Sequence, residues 1–356
     1  MFSTPSDPFA AVAFRVGVAA LLLVLLMLAL IVVLRFRLQH RQKREAAFNA
    51  VWRPLLVEAV SADVLLTSLP ELPRSDEVFF FRLWNYLQAS LRGSANERLN
   101  RVARHLRCDQ YARADLQRGN RTDRLMAIIM LGQLRDMDAW DLLAHQAGLP
   151  DSLASLNAAR ALVQIDPLKA IGLLLPMLVS RKDWDINQVA NFLGGPTQQA
   201  FYLLLRKNIL QLKRQDWLRA LQLAAALRLA LPEKIMRTVM VLSPDIQTLA
   251  AAMNLAADLS LRPQIRKLLG HENWLVRVQA TRFLGFYGDD TDVESLKNLL
   301  QDPQWWTRFE AAQSLLRMPF FGRQKLLLLR DQVQGTQELA MLDHVLAEAM
   351  LAPGST

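Results

Sequence analysis

Residues Asn273–Gly285 read NWLVRVQATRFLG, and residues Gln304–Leu316 read QWWTRFEAAQSLL. Laid over each other, the two stretches align Trp274 with Trp305, Arg277 with Arg308, Ala280 with Ala311 and Leu284 with Leu315. The Ala and Leu of each copy stand four positions apart, which places them on one face of a helix. A recurrence of this length is the mark of a stacked array of helical units rather than of a site used twice.

The period extends in both directions. Ala127, Leu131 and Leu134 align with Ala158, Leu162 and Ile165 at the same offset, and Val189 and Leu193 make a less exact copy one further period on. In SPDIQTLAAAMNLA, from Ser243, a copy with Ala251 and Leu255 leads into Ala280 and Leu284 at a slightly shorter spacing. Residues 198–242 diverge from the pattern. Between these first helices lie second helices: DAWDLLAHQA, PLKAIGLLLPML and TDVESLKNLL. Asp166-Pro167, Ser243-Pro244 and Asp302-Pro303 each set an N-cap before a first-turn proline, and Thr291 with Glu294 has the spacing of a capping box. One helix pair cannot bury its own apolar face, so neighbours must stack. The fold class expected is all-α, with an α-solenoid of helix pairs over residues 122–352.

Composition agrees. Among 356 residues, 52% are hydrophobic while Gly and Pro number only 14 and 15, and Leu, Ala, Arg and Gln outweigh the β-branched residues. Such a chain is long enough for one or two sizeable cores.

Val16 to Leu34, VGVAALLLVLLMLALIVVL, contains no charge and as a helix spans roughly 28 Å, enough to cross the hydrocarbon core of a bilayer. A cleaved signal peptide would need a basic start and a shorter apolar run, whereas Asp7 precedes this stretch and RFRLQHRQKR follows it. The expectation is a single transmembrane helix over residues 16–34, in contact with the lipid bilayer, behind a short extracytoplasmic leader, residues 1–15. Arg35, Arg37, Arg41, Lys43 and Arg44 outweigh Arg15, so the positive-inside rule sets the remainder of the chain in the cytoplasm, at the inner (cytoplasmic) membrane. Those five residues are the expected membrane-surface contacts.

Residues 35–121 form a basic juxtamembrane helical region. Phe48, Val51, Trp52, Leu55, Leu56 and Ala59 follow helical spacing, with Pro54 expected to kink or restart the helix. Ser75 is the expected N-cap of DEVFFFRLWNYLQASLR. In ANERLNRVARHLR, Leu99, Val102, Ala103 and Leu106 share one face, and Arg98, Arg101, Arg104 and Arg107 sweep the other. A solvated face is the simplest account of these arginines; an anionic partner is the functional alternative. Nine Arg against four acids between Arg92 and Arg124 supply a net +5 of the chain's +9.

Catalytic signatures are lacking. The histidines, His40, His105, His145, His271 and His344, include no i, i+4 pair suited to a metal. No phosphate loop or nucleophile elbow occurs. Cys108 has no thiol partner and would be reactive only if the surrounding arginines lowered its pKa. No cofactor, metal site or catalytic residue is expected.

The succession of Trp, "VR", Ala and "LG" on a first helix, a Gly/Asp turn such as GFYGDD, and a second helix ending near "DP" resembles the HEAT repeat family. The resemblance runs from about Thr122 to the C-terminus. It implies a solenoid whose second helices line a docking surface, with Arg277 and, by position, Arg308 paired to acids along the stack and Trp274 and Trp305 used in packing. It further implies a non-enzyme scaffold or adaptor that binds a protein partner, with membrane-anchored relatives serving as accessory subunits of bacterial envelope or surface-polysaccharide systems. HEAT-type iron hydroxylases carry repeated "HE" ligands, whereas here the pair occurs once, at His271-Glu272. Nucleic-acid binding and a HEAT-type lyase are the alternatives; the repeats are not basic, which argues against nucleic acid.

Overall fold

The computed structural model describes residues 8–61, 69–91, 93–243 and 245–351, and among them every regular element is helical. The chain divides into two compact units, Met1–Asp136 and Met137–Thr356.

The first unit is built on α1, Pro8–Ser61, whose 54 residues correspond to roughly 80 Å of helix. Of the expected leader, residues 1–7 lie outside the described residues. Residues 14–44 of α1 are exposed throughout. Its final turns behave differently: Phe48, Trp52, Leu56 and Ala59 are buried along one stripe against α2, Glu77–Ser90, and α3, Ser94–His105. Trp52 meets the ring of Phe80 edge-on at 5.5 Å, and Phe48 lies 6.0 Å from Phe79. The helix runs on through Pro54 rather than restarting there. Its buried stripe continues on both sides of the proline, so packing on α2 and α3 offsets the single backbone hydrogen bond that proline removes. The unit closes with α4, Cys108–Arg118, and α5, Arg121–Leu134, which pack closely on each other.

Ser75 does not cap α2. It lies in a 3-10 turn, Arg74–Asp76, and its hydroxyl donates to Asp76 Oδ1 at 3.3 Å while accepting from Arg44. Asp76 is the residue before the helix and makes no side-chain cap, because Arg44 holds its carboxylate at 2.5 Å.

The second unit alternates two rows. The first row is α7, Ser152–Ile165; α9, Ile186–Leu193; α11, Trp217–Ala226; α13, Ile246–Leu255; α15, Trp274–Tyr287; α17, Trp305–Arg317; and α19, Thr336–Leu351. Each of these packs on the next. The second row is α6, Trp140–Ala147; α8, Pro167–Ser180; α10, Pro196–Asn208; α12, Glu233–Leu242; α14, Arg262–Arg266; α16, Asp292–Asn298; and α18, Gly322–Gln332. Helices α6, α12, α14, α16 and α18 each pack on the first-row helix that follows. This is the all-α solenoid that the period predicts, and it continues through residues 198–242 as α10 to α12 although the motif fades there.

The period also predicts the core. Ala158, Leu162, Val189, Leu193, Ala280, Leu284, Ala311 and Leu315 are all fully buried. One copy is shifted: the buried pair is Ala252, within α13, and Ala256, just past its end, while Ala251 and Leu255 are half-buried. The match to Ala280 and Leu284 therefore sits one position later than the sequence alignment sets it.

Caps follow the local chemistry in part. Asp166 accepts from the Lys169 N–H at 3.1 Å ahead of Pro167, as expected. At α13 the cap is Asp245, accepting from the Thr248 N–H at 2.8 Å, while the Ser243 hydroxyl donates back to the Val239 carbonyl. Pro244 lies outside the described residues. The Thr291–Glu294 capping box does not form. The Thr291 hydroxyl donates to Asp289 Oδ1, which also accepts the Thr291 N–H, so the loop is closed by the aspartate. Trp184, which the repeat pattern does not single out, is fully buried and its indole donates to Ser155 Oγ at 3.0 Å.

Candidate interaction surfaces

In the second unit, arginines join successive repeats. Arg277 makes paired bonds to Asp302, Nε to Oδ2 at 2.6 Å and Nη2 to Oδ1 at 2.8 Å, and Nη1 donates to the carbonyls of His271 and Glu272. Burial alone would raise the Asp302 pKa, but the Arg277 bonds and the Gln304 N–H together hold it below the usual carboxylate range. Arg308 reaches the equivalent carbonyls, those of Asp302 and Pro303, without an acid. The residue that corresponds to Asp302 one period later is Val333, so the position that pairs Arg277 offers Arg308 no carboxylate. A parallel set ties α14 to α16: Arg266 is held by Asp292 and Asp289, with Arg262 on Asp289 at 2.6 Å. The Thr291 hydroxyl first, then Arg266, depress the Asp289 pKa to about 2.

Between α15 and α17 the backbones approach closely, with Gly285 against Ser314. At this junction Glu310, 3% exposed, accepts from Arg282 at 2.7 Å, with Arg317 at 3.6 Å. The Arg317 guanidinium sits 4.3 Å over the ring of Phe286, which is 60% exposed. Arg282 and Phe286, with Asn254 and Gln279, border a cleft of about 160 Å³ between α13 and α15. The result is a ridge with an exposed aromatic, two arginines and one buried carboxylate, hence one unit of excess positive charge.

The tryptophans expected to pack are instead partly open. Trp274 and Trp305 occupy the first position of α15 and α17 and are 38% and 41% exposed. Side chains in a first helical turn point back past the helix end, where no preceding turn covers them. Trp305 stacks on Phe309 at 5.0 Å and meets the more exposed Trp306 edge-on at 4.7 Å, with the His344 ring of α19 at 6.0 Å. Both surface features belong to the first helices, whereas the resemblance implies docking on the second.

The expected anionic-partner residues lie in the first unit and are divided by the structure. Arg98 is half-buried and donates to the Val60 carbonyl at 3.0 Å, at the end of α1; Arg104 donates to the Leu134 carbonyl, the last of α5. Cations placed on the free carbonyls of a helix C-terminus are electrostatically favoured there. Arg101 is exposed, and Arg107 is an exposed left-handed residue, φ 59°, at the start of α4. Of the membrane-surface set, Arg35, Arg37, Arg41 and Lys43 are exposed along α1, while Arg44 bonds Asp76 and Ser75.

Cys108 is buried, and its thiol is pushed up to about 12 by burial and then by Glu77 and Asp109. The arginines near it in sequence do not activate it. It borders a cavity of about 60 Å³ that Glu77, Asp115 and Asp123 also line. Burial, then repulsion from a neighbouring carboxylate, raises the pKa of both Glu77 and Asp115. Among the described residues no three His, Cys, Asp or Glu side chains form a set able to hold a metal ion.

Residues 243–316, spanning α13 to α17, match the family model for HEAT repeats. No curated protein matches the chain.

Proposed function

We propose that this chain, a HEAT-repeat protein, is a non-catalytic, membrane-anchored scaffold that docks a partner protein on the first helices between α13 and α19. The observation that carries the reading is the Phe286–Arg317–Glu310–Arg282 ridge, flanked by the Trp305–Trp306–Phe309 cluster. Trp and Arg dominate the energetics of protein interfaces, and the ion pairs fix these side chains before any partner arrives, which lowers the entropy cost of docking. The excess positive charge of the ridge suits an acidic segment presenting an aromatic or apolar anchor.

The anchor is α1. Its apolar stretch near the N-terminus is long enough to cross a bilayer, and among the described residues no protein surface covers residues 16–34. The basic run Arg35–Arg44 then orients the repeats to the cytoplasmic side of the inner membrane. A tethered platform of this kind would serve as an accessory subunit beside an envelope assembly.

The test uses a photo-crosslinking amino acid at Phe286 or Trp306 of the full chain in intact cells, with mass spectrometry of the products. A specific adduct at these positions, lost with crosslinkers at Leu168 or Leu203 on the second row, supports the reading. Equal adducts at all four positions would overturn the assigned surface. Release of the chain by alkaline carbonate without detergent would overturn the anchor.

A further inference from the structure

Where α1 emerges from its apolar span, one of its faces stays uncovered. The face is defined lower down, where Phe48, Trp52 and Leu56 are buried against α2 and α3. Traced upward at helical spacing it passes through Arg44, Arg41, Arg37 and Val33. Arg44 marks the upper limit of protein cover, bound to Asp76 at 2.5 Å beside the start of α2.

Above that contact lies a hollow of about 460 Å³ with Phe79 at its base. Its far end is apolar, formed by Val32, Val33 and Phe36, and its near end is lined by Arg37, Arg41 and Arg44. From residue 32 to residue 44 the helix rises roughly 18 Å. The change from apolar to cationic walls thus follows the same direction as the change from acyl chain to headgroup in a membrane leaflet.

The charges at the near end differ in their engagement. Arg44 is satisfied by Asp76, whereas among the described residues no carboxylate pairs with Arg37 or Arg41. These two stand one turn apart on one face, an arrangement of like charges that costs stability on an isolated helix. An anionic oxygen cluster between them removes that repulsion, and guanidinium groups bind phosphate through paired hydrogen bonds. Arg35 and Lys43, equally basic and equally exposed, fall off this face and do not line the hollow.

We propose that the hollow binds one anionic phospholipid of the surrounding bilayer, its phosphate between Arg37 and Arg41 and its acyl chain along Val32, Val33 and Phe36. The inference rests on the reading of α1 as a membrane anchor. Bound there, the lipid fills the space between the emerging helix and the start of α2, fixing how the helix leaves the bilayer.

The full chain would be reconstituted into phosphatidylcholine vesicles containing a minority of phosphatidylglycerol, and the co-purified lipid analysed by native mass spectrometry. Wild type is expected to retain one phosphatidylglycerol per chain in preference to phosphatidylcholine. The R37Q/R41Q variant should lose that preference by about tenfold, the scale of one or two charge-assisted bonds. The R35Q/K43Q variant removes the same charge from outside the hollow and should keep it. Equal losses in both variants, or no preference in wild type, would overturn the site in favour of diffuse attraction. Flotation of the chain with the vesicles tests the anchor separately: a chain that does not float fails the anchor reading, while one that floats without lipid preference fails only the site.

Discussion

Arg277 and Asp302 are joined by two hydrogen bonds across a repeat junction, with side chains only 11% and 5% exposed. The same aspartate receives the Gln304 N–H at 2.8 Å, so one carboxylate closes the loop into α17 and ties it to α15. Removing one member of a buried pair leaves the other uncompensated.

Arg277→Ala should therefore lower stability by about 3 kcal/mol. Arg308→Ala, which loses carbonyl bonds but no carboxylate, should cost less, about 1–2 kcal/mol. Urea unfolding of the detergent-solubilised chain gives the comparison. Equal midpoint shifts would refute the special role of the carboxylate.

Two glycines predict opposite effects of one added methyl group. A Cβ at Gly285 would lie 2.5 Å from Ser314 Oγ and 2.9 Å from its Cα, and neither α15 nor α17 can yield without moving backbone. Gly285→Ala should destabilise by about 1–3 kcal/mol through overpacking. At Gly172, in α8, a Cβ meets nothing within 4 Å, and Gly172→Ala should stabilise by about 0.5–1 kcal/mol. Thermal melts of the two variants bracket wild type if the geometry is right.

Acid should loosen the repeat junctions. Asp289 has a folded pKa of about 2 against an ordinary value of 3.8, so its contribution is present above the higher value and is lost as pH falls toward the lower. Asp302 has the same sign. Glu77 and Asp115 in the first unit have the opposite sign: their raised pKa values mean that protonation on acidification favours the folded state. Urea midpoints of the second unit, followed by hydrogen exchange of α14 to α17, should decline below about pH 4. Asp289→Asn should make the decline shallower, and an unchanged pH slope would count against the assignment.

Cys108 should behave as a core residue. With 4% exposure and a pKa pushed up to about 12, its thiol presents almost no thiolate near neutrality. Maleimide labelling should follow the opening of the first unit and accelerate in step with added urea. Rapid labelling of the folded chain would contradict the burial.

The period, the choice of helix over strand and most of the core are properties of short stretches. Ala280 and Leu284 share a face because of helix geometry alone, and Asp166 caps α8 because its carboxylate stands within reach of Lys169 N–H, so both were legible from neighbouring residues. The candidate surface was less so. Trp274 and Trp305 align with the repeat as readily as Ala280 and Ala311, and no local pattern distinguishes a tryptophan that packs from one at a helix start with nothing above it. A visible signal did exist: at helical spacing Trp305, Trp306 and Phe309 share an arc of about 100° that points away from the Ala311 and Leu315 stripe.

Sequence by itself determined an all-helical array with a long apolar segment near its beginning, because helical periodicity and transfer from water act on consecutive residues. Tertiary structure alone decided how the charges are used. Arg98 and Arg104 look like a solvated face along α3, yet they end on the carbonyls of Val60 and Leu134, which belong to other helices. Arg277 and Arg308 are equivalent in the repeat and differ only because one junction offers Asp302 and the next offers Val333. Hydrogen bonding and ion pairing need a partner within about 3 Å, and which partner arrives there is set by how helices distant in the chain stack.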